Sequence, residues 1–331
     1  MARRMNSTER FQAIAALVHQ PATPELQAQV SAALDDSSNL VAAAAARVTK
    51  VHRLTNLLPH LLATCDRFYL DPVKTDRRCQ AKFDLIDALA ELGHADGSTF
   101  VRAAQHRQPE PVYGGSEDTA GRLRVRAAEA LVPLGHAETH RVLVDLLADP
   151  LGEVRSAAAR LLGDLGDERS WLLLRLRFLA GDPRSENLGD YLAALMAADA
   201  RRSLPLVVAQ LDHRDPAVVE GAALALGESR LAEALPPLVQ AFERPRTPAA
   251  RRILVTAIAL LRNVESAAYL LHLVATADLE SAEEALAGLH FHRDRPAVLA
   301  RLVAVLEQRN DPHLLQVFAA TKTSAPGQDS A

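Results

Sequence analysis

The sequence contains few aromatic residues. They make up 4% of the 331 residues, whereas apolar residues make up 49%. Ala, Leu and Val must therefore supply the core. This composition favours closely packed helices over a sheet, because the strand-preferring aromatic and β-branched residues are in the minority.

Cysteine is also rare. The chain has only Cys65 and Cys79, which form no C-x-x-C pair and have no spaced partners. This pattern argues against a disulfide scaffold and against structural zinc. We therefore expect reduced thiols, no metal and no cofactor, in a cytoplasmic protein.

Long apolar runs and a strong net charge are absent as well. No stretch of 18 or more apolar residues occurs, so no membrane span is predicted. The basic N-terminus precedes only a short apolar run, which predicts a helix capped by Ser7 or Thr8, not a signal peptide. With a formal net charge of −4, the chain has no global field that would attract a polyanion.

A repeated apolar pattern is the dominant feature of this sequence. Apolar residues recur at i, i+3, i+4, i+7, i+8 and i+11, which is one face of an α-helix. The pattern returns roughly every 30 to 35 residues, and such a period indicates a solenoid. The two clearest copies are Val154, Ala157, Ala158, Leu161, Leu162, Leu165 and Ile253, Thr256, Ala257, Leu260, Leu261, Val264.

Dipeptides mark the expected helix ends. Asp can cap the helix that follows it and Pro suits the first turn, whereas Gly supplies the left-handed residue that ends a helix. Each repeat is thus predicted to be a helix, a turn, a second helix and a Gly. The markers are Asp149-Pro150, Asp182-Pro183, Asp215-Pro216 and Asp311-Pro312, and Leu92-Gly93, Leu134-Gly135, Leu165-Gly166 and Leu226-Gly227.

The stretch DPLGEVRSAAARLLGDLGDE, residues 149–168, resembles the short HEAT-like repeat of phycobilisome lyase subunits and of many bacterial proteins. The resemblance extends over roughly residues 25–310. It implies an all-α, right-handed α-α superhelix of about eight or nine helix pairs. Arg124 and Arg155 match an Arg that often bonds to neighbouring turns in this family, whereas Val219 and Leu254 do not.

The domain prediction is a single solenoid over residues 1–320, followed by a disordered tail at 321–331 that lacks periodicity. A segment at 108–121, QPEPVYGGSEDTAG, interrupts the repeats as an inserted loop. Loops held on a rigid scaffold often carry binding groups. The predicted partner-binding residues are Tyr113, Gly114, Gly115, Ser116, Glu117 and Asp118.

These residues have distinct expected roles. Tyr113 would anchor a partner, the glycines would give the backbone freedom, and the carboxylates would accept hydrogen bonds. The alternative is a packed surface loop in which Tyr113 covers a gap and Asp118 caps the next helix. On the first interpretation, the protein is a non-catalytic scaffold or adaptor that binds a protein partner through this loop and its concave face.

Two other function classes stay open. The resemblance implies a lyase or transferase accessory role, although no G-x-S-x-G motif or other catalytic constellation is present. Nucleic-acid binding would use arginines near the starts of second helices, but acidic residues lie among them. His290 and His292, with Asp294 nearby, lack a third group at ligand spacing and do not predict a metal site. The arginines are Arg124, Arg126, Arg155, Arg160, Arg251 and Arg252.

Overall fold

The computed structural model describes residues 5–244 and 247–323. These residues are organised as helices and one two-stranded hairpin. The predicted all-α class is therefore confirmed, with the hairpin as the exception. The chain divides into two compact units, residues 1–161 and 162–331. None of the helices in the described ranges is both long and apolar enough to cross a membrane.

The first unit is a series of helix pairs. Helices α2, α4 and α7 each pack against the next long helix, α3, α6 or α8, and α3, α6 and α8 pack side by side. This is the stacking expected of a helical repeat. The helices are α1 (Ser7–Ala16), α2 (Pro24–Leu34), α3 (Asn39–Val51), α4 (Leu58–Phe68), α5 (Pro72–Thr75), α6 (Gln80–Glu91), α7 (Gly97–Gln105), α8 (Gly121–Leu134), α9 (Thr139–Leu147) and α10 (Gly152–Leu165), the last of which ends in the second unit.

The second unit follows the same scheme. Helices α12, α14, α16 and α18 pack in succession, and α11, α13, α15 and α17 each pack against the helix that follows. The helices are α11 (Glu168–Ala180), α12 (Ser185–Ala198), α13 (Ala200–Val208), α14 (Pro216–Glu228), α15 (Leu235–Glu243), α16 (Pro248–Leu260), α17 (Val264–Thr276), α18 (Leu279–Gly288), α19 (Pro296–Arg309) and α20 (Pro312–Thr323).

Side-chain caps fix several helix starts. Asp215 accepts a hydrogen bond from the backbone N–H of Ala217 and precedes Pro216, as the Asp-Pro pattern predicts. The first helix begins one or two residues earlier than expected, because Asn6, not Ser7 or Thr8, is its cap. Asn6 and Glu9 form a capping box there. After Asp149 and Asp182 the helix begins two residues later than the dipeptide predicts.

Two helices are preceded by 3₁₀ turns. These turns are Thr55–Leu57 and Ala232–Ala234. The α-helices then start at Leu58 and Leu235, each with a Pro in its first turn. Proline lacks an N–H group and is best tolerated in the first turn of a helix, where that N–H would have no partner within the helix, so these prolines favour the observed starts.

Glycine has two different roles here. Gly93, Gly135 and Gly166 have positive φ angles and end their helices as predicted. Gly227 does not, and this prediction was wrong. It lies inside α14, where an added Cβ would come within 2.4 Å of the carbonyl oxygen of Ala257 in α16. Close helix packing, not a left-handed turn, requires glycine at this position.

The C-terminal tail remains largely a prediction. Residues 321–323 belong to α20. The rest of the predicted disordered tail, from residue 324 on, lies outside the described residues.

Candidate partner-binding hairpin

The insertion at 108–121 contains a β-hairpin. Strand β1 (Pro109–Val112) pairs antiparallel with β2 (Gly115–Asp118), and Val112 lies opposite Gly115. The turn is thus Tyr113-Gly114. Gly114 has a φ of +87°, whereas Tyr113 does not have a positive φ, and this combination matches a type II turn. The two prolines of β1 suggested a loop, but each strand of a two-stranded hairpin has a free edge that tolerates proline.

The tip of the hairpin is fully exposed. The side chain of Tyr113 has a relative exposure of 108%, so it covers no gap in the fold. Gly114, Gly115, Ser116 and Glu117 are exposed as well. The structure therefore brings five of the six predicted residues together on one accessible projection.

Asp118, the sixth predicted residue, lies at the base of the hairpin and is only partly exposed. Its Oδ1 accepts hydrogen bonds from the backbone N–H groups of Gln108 at 3.1 Å and Ala120 at 3.0 Å. Its Oδ2 lies 2.8 Å from NH1 of the buried Arg124. These bonds keep the pKa of Asp118 below its usual value despite partial burial, which acts to raise it. Asp118 fixes the hairpin to the start of α8.

Glu110 holds the other strand. Its Oε1 accepts hydrogen bonds from the backbone N–H of Arg78 at 2.5 Å and from Thr119 Oγ1 and Gln108 Nε2, each at 2.8 Å. An isolated two-stranded hairpin is marginally stable in water. These side-chain bonds therefore supply the stability that the short strands lack.

The base rests on a buried polar cluster in the first unit. The fully buried Gln108 donates from Nε2 to the carbonyl oxygen of Asp76 at 2.7 Å. Asp76 pairs with Lys82 at 2.8 Å, and both side chains have no solvent exposure. The Asp76 carboxylate also accepts hydrogen bonds from the backbone N–H groups of Ala81 and Lys82. Its charge is thus well satisfied without water.

A second buried ion pair lies on the other side of Asp118. The guanidinium of Arg124 is fully buried and lies within 2.9 Å of the Asp149 carboxylate. Arg124 also donates to the carbonyl oxygen of His106 at 3.1 Å. Arg155 donates to the carbonyl oxygens of Asp149 and Pro150. Arg124 and Arg155 therefore bond to neighbouring turns, as predicted from the sequence.

Sequence reasoning did not identify Asp76, Lys82 or Gln108. Only their positions in the sequence could have indicated them. Asp76 and Lys82 lie on either side of the start of α6, and Gln108 is the first residue of the inserted segment. Spacing alone did not link them, because Gln108 lies 32 residues from Asp76. The pairing depends on the fold.

Both cysteines are buried free thiols. Burial raises the pKa of Cys65 to about 12 and that of Cys79 to about 12. Cys79 donates from Sγ to Gln108 Oε1 at 3.3 Å. A thiol with so high a pKa is almost wholly protonated near neutral pH and is therefore a poor nucleophile.

Most of the arginines proposed for nucleic acid are paired within the chain. Beyond Arg124 and Arg155, Arg126 pairs with Asp87 and Glu91, and Arg252 pairs with Glu284. Arg251 donates to Ser281 at 2.8 Å. Backbone binding to nucleic acid requires several uncompensated cations. These arginines therefore offer little charge for that interaction.

The histidines at 290 and 292 have different environments. His292 is fully buried, and His290 Nε2 lies 2.9 Å from NH1 of Arg293. No group of three or more His, Cys, Asp or Glu residues within the described parts of the chain is arranged to hold a metal ion.

Comparisons with known proteins identify the fold. No protein-family model matches the chain, and no curated protein matches it. Among solved structures, Kap121p is 16% identical over 97% of this chain and 41% of its own, with a TM-score of 0.52. Kap121p bound to Pho4p is 16% identical over 97% and 43%, also with a TM-score of 0.52. This chain therefore spans less than half the length of these Kap121p chains.

The fold is that of a HEAT-like helical-repeat protein. The complex of CpcE and CpcF of phycocyanin lyase from Nostoc sp. PCC7120 is also similar, at 20% identity over 88% of this chain and 96% of that chain, with a TM-score of 0.37. The likeness to Kap121p, at 16% identity, describes the HEAT-like fold of this chain and leaves its activity to be argued from its own residues.

Proposed function

We propose that this protein is a non-catalytic interaction scaffold that captures a protein partner through the tip of the 108–121 hairpin. The concave face that the resemblance implies would extend the contact. In this proposal the repeats are of the short type found in phycobilisome lyase subunits. Tyr113 is the anchor, and Gly114, Gly115, Ser116 and Glu117 provide the surrounding contact surface.

The observation that carries the proposal is the contrast between the tip and the base of the hairpin. The Tyr113 side chain is fully exposed, whereas Gln108, Asp76 and Lys82 beneath it are fully buried. Tyr is among the residues that contribute most to binding at protein interfaces. A fixed base presents this ring at a small entropic cost, because less of the hairpin must be ordered on binding.

The fold supports the same class of function. Kap121p, which shares the helical-repeat architecture, is known in complexes with Pho4p and with Nup53p. Helical-repeat proteins present extended concave surfaces on which other molecules bind.

The test is affinity purification of the tagged protein from its native host, followed by mass spectrometry. The wild type should recover a stoichiometric partner that Tyr113→Ala does not. Val264→Ala is the matched control, since it truncates another exposed apolar side chain, in the second unit. Its recovery should equal that of the wild type.

Asp118 is excluded from the binding variant because its substitution would disturb the hairpin base. If Tyr113→Ala recovers the partner as well as the wild type does, the tip is not the binding site. If the wild type recovers no protein and carries a bound chromophore with visible absorbance, the lyase-type accessory role would replace this proposal.

A further inference from the structure

The apolar residues of helix α11, in the second unit, lie on more than one side of the helix. Its sequence, ERSWLLLRLRFLA, buries Ser170, Trp171 and Leu174. Three further leucines remain largely in solvent: Leu172 is 50% exposed, Leu176 is 66% and Leu179 is 64%. Single exposed apolar residues are ordinary, but several large ones on one helix indicate an interaction surface.

These leucines form one line along the helix. They occupy positions i, i+4 and i+7, which lie on the same side of an α-helix. We name Leu172, Leu176 and Leu179 the leucine stripe. Such a stripe matches the spacing by which one amphipathic helix packs against another.

Arginines border the leucine stripe on both sides. At 3.6 residues per turn, Arg169 and Arg175 project about 60° to either side of the centre of the stripe. Both are exposed. The one acidic residue in line with the stripe is Glu168, one turn before Leu172, and it pairs with Arg202. The two flanks of the leucine stripe are therefore cationic.

These arginines differ from others nearby in having no carboxylate partner. Arg202 pairs with Glu168, and Arg177 pairs with Asp182 at 2.5 Å. Within the described ranges, Arg169 and Arg175 form no ion pair. The guanidinium of Arg175 lies 5.2 Å from the Trp171 ring centroid, a cation–π contact that supplies no negative charge.

We infer that the leucine stripe and its arginines are a docking surface for an amphipathic helix of another protein. The apolar residues of that helix would pack on Leu172, Leu176 and Leu179, and acidic residues beside them would face Arg169 and Arg175. Charge complementarity of this kind selects the partner and sets its register. These residues belong to the second unit and the hairpin belongs to the first, so this inference does not depend on the proposed function.

The same charges argue against a second copy of this chain as the occupant. Two copies joined symmetrically through the leucine stripe would place arginines opposite arginines. Like charges across an interface are unfavourable. The partner surface must therefore carry the opposite charge.

The experiment selects peptides against the full-length protein. A displayed library of amphipathic helical peptides keeps its leucines fixed and varies the flanking positions among Glu, Lys, Gln and Ser. Selection on the wild type should enrich Glu on both flanks. Fluorescence polarisation should then show that Leu176→Asp weakens the selected peptide by about 30-fold or more, the effect of losing one hot-spot residue.

Two further variants separate charge from fold. Arg169→Glu with Arg175→Glu should change the selected flanks from Glu to Lys. Val264→Asp is the matched control, because it places the same charge on another highly exposed aliphatic residue of the second unit. It should bind the Glu-flanked peptide like the wild type. Circular dichroism should show unchanged helicity for all variants.

The contrary outcomes are equally specific. If no peptide is enriched, or if Leu176→Asp selects the same sequences as the wild type, the inference is overturned. A lipid surface is tested with vesicles of phosphatidylcholine and phosphatidylserine. Co-sedimentation that requires Leu176, without enrichment of Glu-flanked peptides, would assign the leucine stripe to a membrane and also reject the inference.

Discussion

The side-chain Nε2 of Gln108 lies 2.7 Å from the carbonyl oxygen of Asp76 and donates a hydrogen bond to it. This bond joins the first residue of the inserted segment to the buried ion pair of the first unit. The direction in which the hairpin projects is consequently set by the core and not by the short strands.

Replacement of Gln108 tests this coupling. Gln108→Leu would remove the side-chain hydrogen bonds to the Asp76 carbonyl and to Glu110 Oε1 and would leave only the Cys79 N–H on that carbonyl. We therefore expect a loss of about 1–3 kcal/mol in the free energy of unfolding. Hydrogen exchange should also speed up at the amides of β1 and β2. Ser116→Ala, at an exposed position of β2, serves as the control and should change neither quantity. Equal exchange in both variants would show that the strands alone hold the hairpin.

Two Lys–Asp pairs of equal length allow a comparison of buried and exposed charge. Lys82–Asp76 and Lys74–Asp71 both measure 2.8 Å, but the first is fully buried and the second is largely exposed. Lys82→Met should cost about 3–5 kcal/mol, because it leaves a buried carboxylate uncompensated. Lys74→Met should leave the melting temperature unchanged, since water screens exposed pairs. Thermal unfolding followed by circular dichroism measures both, and similar melting temperatures would contradict the prediction.

Close backbone packing between α12 and α14 gives a third prediction. A Cβ at Gly221 would lie 2.3 Å from the Cα of Gly189. We expect Gly221→Ala to destabilise the second unit by about 1–3 kcal/mol, the usual cost of overpacking, although Ala favours helix more than Gly does. Gly115→Ala is the control, because nothing lies within 4 Å of its Cβ position. A gain in stability at Gly221 would show that α12 and α14 separate easily.

Lowering the pH should reduce the stability of the second unit, because His292 becomes protonated. Burial, and then the positive charge of Arg295, lower the pKa of His292 below its usual value of 6.5. As the pH falls, the unfolded chain therefore takes up this proton before the folded one does. The stability that neutral His292 contributes is full above about pH 6.5 and decreases as the pH falls below that value.

His292→Leu should reduce this dependence. We expect the melting temperature of the wild type to fall more between about pH 7.5 and about pH 5.5 than that of the variant. His290→Gln, which removes an exposed imidazole two residues away, should behave like the wild type. The same pH response in wild type and His292→Leu would assign the effect to other groups.

The repeats could be predicted because their stabilising contacts are local and periodic. The helix at Thr139–Leu147 begins and ends where its apolar spacing and its flanking residues indicate. The base of the hairpin could not be predicted in the same way. Asp76 meets Lys82 only because Arg78 and Cys79, both with positive φ angles, turn the chain between α5 and α6.

The leucine stripe was missed for a different reason. In a repeat rich in leucine, the run Leu172–Leu174 is typical of core, and periodicity alone cannot distinguish leucines that pack inside from those that remain outside. Only the exposed fractions of Leu172, Leu176 and Leu179 separate them from Leu174, which is fully buried.

Trp171 is the only tryptophan in the sequence. Its buried indole donates to Ser203 Oγ at 2.9 Å and lies under the guanidinium of Arg202, 3.6 Å from the ring centroid. Light absorbed selectively by indole thus excites a single chromophore in the second unit, next in sequence to Leu172. The protein carries its own optical reporter, which can follow binding and melting in that unit without an added label, while events at the hairpin need a separate dye.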